Sequence, residues 1–122
     1  MSQRFDFQKT PLDGLFKIDR KPIKDSRGAF SRFFCIEEFK EVRFNNSIQQ
    51  INHSITKQKG TVRGLHFQYP PFSETKIVSC MKGVVFDVAV DLRQHSPTFL
   101  QWHAEILSAE NQSALFIPDG FA

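Results

Sequence analysis

The chain has 122 residues, of which 40% are hydrophobic and 24% charged. That balance excludes wholesale disorder, and the length fits a single domain over residues 1–122. Sixteen Lys+Arg against thirteen Asp+Glu give a formal net charge of +3. The basic residues are scattered rather than gathered into a stripe. That pattern argues against nucleic-acid binding and fits a few cations around an anionic small molecule. No apolar run is long enough to span a membrane and no basic-then-apolar leader opens the chain, so a cytoplasmic protein is expected.

Fourteen Phe stand beside one Trp and one Tyr. Phe brings apolar area with no polar handle, and aromatics suit the pleated surface of strands. Cys35 and Cys80 lie in separate apolar segments without metal-ligand spacing and read as free thiols rather than a disulfide.

Taken in chain order, Pro11, Gly14 and Pro22 mark an irregular lead-in with a short strand near Leu15–Ile18. Asp25-Ser26-Arg27-Gly28 is a turn, Ala29–Ile36 is strand-like, and Glu37–Val42 has room for one helical turn. Short extended segments follow at about Ile48–Ile55, Thr61–Phe67, Thr75–Met81, Val84–Asp91, Phe99–Leu107 and Ala114–Ile117. Turn chemistry separates them at Lys57–Gly60, Tyr69-Pro70-Pro71, Lys82-Gly83, His95-Ser96-Pro97 and Ser108–Asn111. Many short strands and no long helix predict an all-β sandwich or barrel.

Val84–Asp91 divides into two faces. Val84, Phe86, Val88 and Val90 read as core; Val85, Asp87, Ala89 and Asp91 share the other side. Asp87 among small or apolar neighbours points either into a cavity or to solvent on an antiparallel sheet.

The densest cluster of reactive residue types is Gly60-Thr61-Val62-Arg63-Gly64-Leu65-His66-Phe67-Gln68, followed by Lys76. A lone strand histidine is ordinarily structural, but Arg63, Lys76 and Asp87 on nearby segments change its company. Together they supply a cation for phosphate, a proton acceptor and a cation for a developing oxyanion. Gly60 and His66 resemble the opening of the metal-binding cupin motif. Gln68 stands at its second histidine, however, and Glu74 and Gly83 come late. One imidazole and an amide make a poor transition-metal site, so a cupin-like fold without metal is expected.

Several segments in order resemble the dTDP-4-dehydrorhamnose 3,5-epimerase family. They are Asp25-Ser26-Arg27-Gly28-Ala29-Phe30, Gln50-Ile51-Asn52-His53-Ser54, Lys59 to Gln68, Lys76-Ile77-Val78, Val85 to Arg93, Ser96-Pro97-Thr98-Phe99, Leu107 to Asn111 and Ile117 to Ala122. The resemblance implies an antiparallel cupin-like jelly roll that acts on an NDP-4-keto-6-deoxyhexose without metal or redox cofactor. It implies His66 as the base that removes protons beside the 4-keto group, Lys76 as a stabiliser of the enolate oxygen, and Asp87 as a pocket carboxylate that orients Lys76 or the base. Arg27, Phe30, Gln50, Asn52 and Arg63 would bind the nucleotide sugar together with Lys76. It also implies a homodimer that exchanges N-terminal strands, with Arg27 serving the partner's site.

Arg63 and His66 are three apart, so a regular strand would place them on opposite faces; a bulge at Gly64 would bring both to one pocket. Two departures from the family pattern stand out. Arg32 replaces a glutamate that contacts the nucleobase, which turns an acceptor into a donor and bears on the choice of carrier. The chain also stops at Ala122, short of the family's following histidine, its tyrosine general acid, the aspartate that pairs with the base and the last strands. The expectation is a C-terminally truncated jelly roll with slow proton exchange and little inversion. The rival readings are a sugar ketoisomerase or single-carbon epimerase, and a catalytically dead nucleotide-sugar binding module.

Overall fold

A computed structural model describes residues 4–122. Among them the strands are β1 (Phe5–Lys9), β2 (Phe16–Arg20), β3 (Ile23–Asp25), β4 (Gly28–Phe30), β5 (Lys76–Ser79), β6 (Val84–Val90), β7 (Trp102–Ser108) and β8 (Ser113–Ile117). One short 3-10 helix spans Glu38–Val42. The all-β expectation holds, and the helical turn lies where the sequence placed it.

The main sheet runs β1-β2-β8-β5, and β6-β7 forms a second sheet, with antiparallel pairing throughout. Strand β8 lies inside the main sheet and is buried along its whole length. Its two faces feed two cores. Leu115 and Ile117 meet Ala89 and Leu107 of the second sheet, together with Leu12, Leu15, Cys80 and Phe121. Ala114 and Phe116 turn to the other side, onto Phe5, Ile18, Phe39, Val42 and Phe44. This second core is a phenylalanine cluster: Phe39 lies edge-on to Phe5 with centroids 5.0 Å apart, and Phe34 lies 4.7 Å from Phe39. Each fully buried side chain of this kind contributes about 1.5–3 kcal/mol.

Local chemistry closes the turns. Asn111 accepts through Oδ1 from the amides of Ser108 and Ser113, and donates its own amide to the Ser108 hydroxyl, which shapes the β7–β8 turn. At the β3–β4 turn, Asp25 accepts from the Arg27 amide at 2.8 Å, and Gly28 takes φ +139°.

Several expectations are corrected. The lead-in contains the full strand β1, whose alternating Phe5 and Phe7 pair with Arg20 and Ile18 of β2. The strand expected over Ala29–Ile36 ends at Phe30. No strand or helix occurs over residues 44–75, so Ile48–Ile55 and Thr61–Phe67 are not strands, and residues 45–72 are all exposed. Apolar alternation marks a strand only where a neighbour supplies the hydrogen bonds, and here none does. Finally, Val84 and Phe86 are not core: they are 69% and 67% exposed. The main sheet covers the opposite face of β6, where Ala89 and Asp91 are fully buried.

Candidate active site

The face that β6 turns inward carries Val85, Asp87, Ala89 and Asp91, because Ala89 packs against Leu115 and Ile117 of β8. In β5, Lys76 shares the side of Val78 and Cys80, which reach the same core. Lys76 and Asp87 therefore face one another from the two sheets, as a pocket reading of Asp87 requires.

Asp87 is half-buried, and its Oδ2 is shielded from solvent without a hydrogen-bond partner. Burial raises its pKa above the ordinary carboxylate value; the Lys76 ammonium and the Val88 amide pull it partly back. Lys76 also lies 3.8 Å from Glu74, an arrangement that holds the ammonium between two carboxylates. An ammonium and a shielded carboxylate at the mouth of an apolar core suit the stabilisation and handling of a developing negative charge.

Two of the expected nucleotide contacts meet at the β3–β4 hairpin. Arg27 and Phe30 line an open recess of about 480 Å³ with Ile23, Asp25, Gly28 and Ala29. The Arg27 guanidinium pairs with Asp25 at 2.7 Å, and this bond holds the Asp25 carboxyl below its usual range. Phe30 is 67% exposed, with its ring open to stacking.

The remaining expected residues lie on the exposed stretch. Asn52 donates weakly to Gln50 at 3.5 Å. Arg63 donates to the Thr56 hydroxyl at 3.2 Å and to the Ile55 carbonyl at 3.4 Å, which ties off a loop around Gln58–Thr61. His66 is exposed and has no hydrogen-bond partner among the described residues. Gly64 takes φ +95°, a left-handed turn in irregular backbone rather than a bulge in a strand. Arg32, the reversed charge, pairs with Glu38 of the 3-10 helix at 2.8 Å. The structure thus unites Lys76 with Asp87, Arg27 with Phe30, and Gln50 with Asn52, and leaves His66 on its own segment.

Two features escaped the sequence reading. One is a carboxylate knot: fully buried Asp91 accepts from Arg93 Nε at 2.9 Å, Ser96 at 2.5 Å and Thr98 at 2.6 Å. Burial alone would raise its pKa, but these donors hold it far below the ordinary range. Its signal was the Asp-Leu-Arg and Ser-Pro-Thr pairing within one short loop. The other is a His103–Glu105 contact of 2.5 Å on β7, marked in the sequence only by two polar residues two apart on a strand.

The chain is similar in sequence and fold to known proteins. A family model described as dTDP-4-dehydrorhamnose 3,5-epimerase matches residues 9–122. The chain is similar to the enzyme of that name from Sinorhizobium fredii, at 42% identity over 116 residues that cover 95% of this chain and 60% of the relative. The crystal structure of dTDP-4-dehydrorhamnose 3,5-epimerase from Elizabethkingia anophelis superposes with a TM-score of 0.92 at 38% identity, over 98% of this chain and 66% of that one. A dTDP-6-deoxy-D-glucose-3,5-epimerase from Legionella pneumophila, solved in complex with dTDP-4-keto-L-rhamnose, gives 0.89 at 42% identity, over 97% and 62%. The chain spans about 60% of the length of the curated relative. With the match running from β1 through the inward Lys76–Asp87 face to the last residue, the sequence resemblance and the jelly-roll fold agree: the chain belongs to the dTDP-4-dehydrorhamnose 3,5-epimerase family.

Proposed function

We propose that this chain supplies the nucleotide-sugar site of an epimerase acting on an NDP-4-keto-6-deoxyhexose, and that it uses neither metal nor redox cofactor. The observation that carries this reading is the inward pair of Lys76 and Asp87 in a chain similar to an epimerase solved with a dTDP-4-keto sugar. In this reading His66 removes a proton from a carbon beside the 4-keto group. The electron pair moves into an enolate whose oxygen the Lys76 ammonium stabilises, and the proton returns to the opposite face from a general acid. Asp87 orients Lys76. Arg27 and Arg63 meet the diphosphate, Phe30 stacks, and Gln50 and Asn52 contact the nucleotide.

Exposed His66 supports a site that closes on substrate or on a second subunit rather than one preassembled within this chain. The β3–β4 hairpin points the same way: among the described residues it pairs with no other strand, and it is exposed along its length. We infer a homodimer in which Arg27 serves the neighbouring site, working in the cytoplasm. Among the described residues no helix is long and apolar enough to cross a membrane.

The deciding experiment is mass spectrometry of a dTDP-4-keto-6-deoxyhexose incubated with the protein in deuterated water. Deuterium at both carbons flanking the ketone is expected. Deuterium at one carbon would make it a single-carbon epimerase, and tight binding without any incorporation would make it a binding module.

A further inference from the structure

Strands β6 and β7 set Asp87 directly opposite Glu105 and Ala89 directly opposite His103. Residues opposite one another in an antiparallel pair share a face, so Glu105 and His103 lie on the inward side with Asp87. All three are half-buried there. Two carboxylates opposed in this way repel unless cations flank them. Lys76 from β5 flanks Asp87, and the His103 Nε2 lies 2.5 Å from Glu105.

We propose that His103 and Glu105 are a positioning pair for the Lys76–Asp87 site, with Glu105 pressing on Asp87 across the strand and His103 setting how much of that charge Asp87 feels. With the imidazole engaged, Glu105 is masked and Asp87 is free to hold Lys76. A Glu105 without its imidazole partner would leave Asp87 facing an uncompensated carboxylate. The other charged groups around Asp87 are few. Glu74 pairs with Lys76, and Asp91 on the same strand face is enclosed by Arg93, Ser96 and Thr98. From β8, Ser113, Leu115 and Ile117 face this side, and on β2 behind them Asp19 accepts from the Ser113 hydroxyl and pairs with Lys17.

The inference deepens the epimerase reading and rests on it for its catalytic meaning, but its first test does not need activity. Carboxyl carbon NMR of the aspartate-labelled chain follows the Asp87 titration in the wild type and in variants. Glu105→Gln should lower the Asp87 midpoint by at least about half a unit, since a facing anion is removed. His103→Gln should raise it, because removing the imidazole that engages Glu105 unmasks that carboxylate. In the Glu105→Gln background, His103→Gln should then have no effect, a non-additivity that a merely structural histidine would not produce. Should Glu105→Gln not fold, the His103→Gln arm decides. An Asp87 midpoint unmoved by these variants overturns the proposal.

The second test is the pH profile of deuterium incorporation, which should move in the same direction as the Asp87 midpoint. If the midpoint shifts appear but the wild type incorporates no deuterium, the positioning pair stands and the epimerase reading falls. If incorporation occurs while the midpoint stays put, the epimerase reading stands and the pair is structural.

Discussion

Asp91 and Arg93 meet side-on, Nε to Oδ1 at 2.9 Å and Nη2 to Oδ2 at 3.0 Å, with the carboxylate fully buried. Arg93 continues outward to donate to the Asp13 carbonyl at 2.8 Å and to cover the Phe121 ring at 4.8 Å. One ion pair thus ties the lead-in, the end of β6 and the last residues together. Because its pKa is depressed on folding, Asp91 contributes stability that is present above the unfolded carboxylate value near pH 4 and lost as pH falls further. Asp91→Asn should cost about 3 kcal/mol at pH 7 and flatten the acid limb of stability. Melting temperatures between pH 2 and 7 check it; parallel acid limbs in the two proteins would refute the assignment.

Asp87 behaves in the opposite sense. Its raised pKa means that the folded state favours the protonated form, so its burial weakens the fold as pH rises through the folded pKa. Asp87→Asn should leave stability at pH 7 unchanged or raise it by about 1 kcal/mol, while it slows proton exchange at least about tenfold. Urea unfolding beside deuterium incorporation measures both.

Gly120 lies at φ +90°, and a Cβ there would stand 2.7 Å from Arg93 Cγ. The arginine is pinned at its head and cannot swing aside cheaply. Gly120→Ala should therefore destabilise by about 2 kcal/mol, and by less in an Arg93→Ala background. A double-mutant cycle on melting temperature reads this coupling.

His66 is exposed and, among the described residues, unbonded, so its removal touches no packing. His66→Asn should abolish proton exchange, keep dTDP binding within a few-fold and leave the melting temperature unchanged. Undiminished exchange would assign the base to another group.

Arg32 is engaged with Glu38, and the ion pair raises its already high pKa. Arg32 in the place of a carboxylate should weaken the preference for thymine over other bases, because the acceptor for the base N–H is lost. Calorimetric binding of dTDP, UDP, CDP and GDP tests this. A strong dTDP preference that survives Arg32→Ala would show that Arg32 stays on Glu38 and never meets the base. The surface pair itself should be worth no more than about 1 kcal/mol.

Local chemistry alone determined much of this protein. The turns at Asp25–Gly28 and Ser108–Asn111 were legible because one side chain closes each on its own backbone, and β5, β6, β7 and β8 were legible because each carries a dense apolar run between such turns. The family was legible in motifs such as Arg63 to His66 and Asp87 to Arg93. Tertiary structure alone decided which face of β6 is core. Both faces are apolar enough, and the choice falls to small Ala89 because Leu115 and Ile117 of β8 need room beneath the main sheet. Tertiary structure also left Ile48–Ile55 and Thr61–Phe67 outside any sheet, since a strand is completed by the hydrogen bonds of a neighbour that its own residues do not encode. For the same reason Glu105 became visible beside Asp87 only once strand register was known: a cross-strand contact depends on pairing, and pairing is a property of two segments at once.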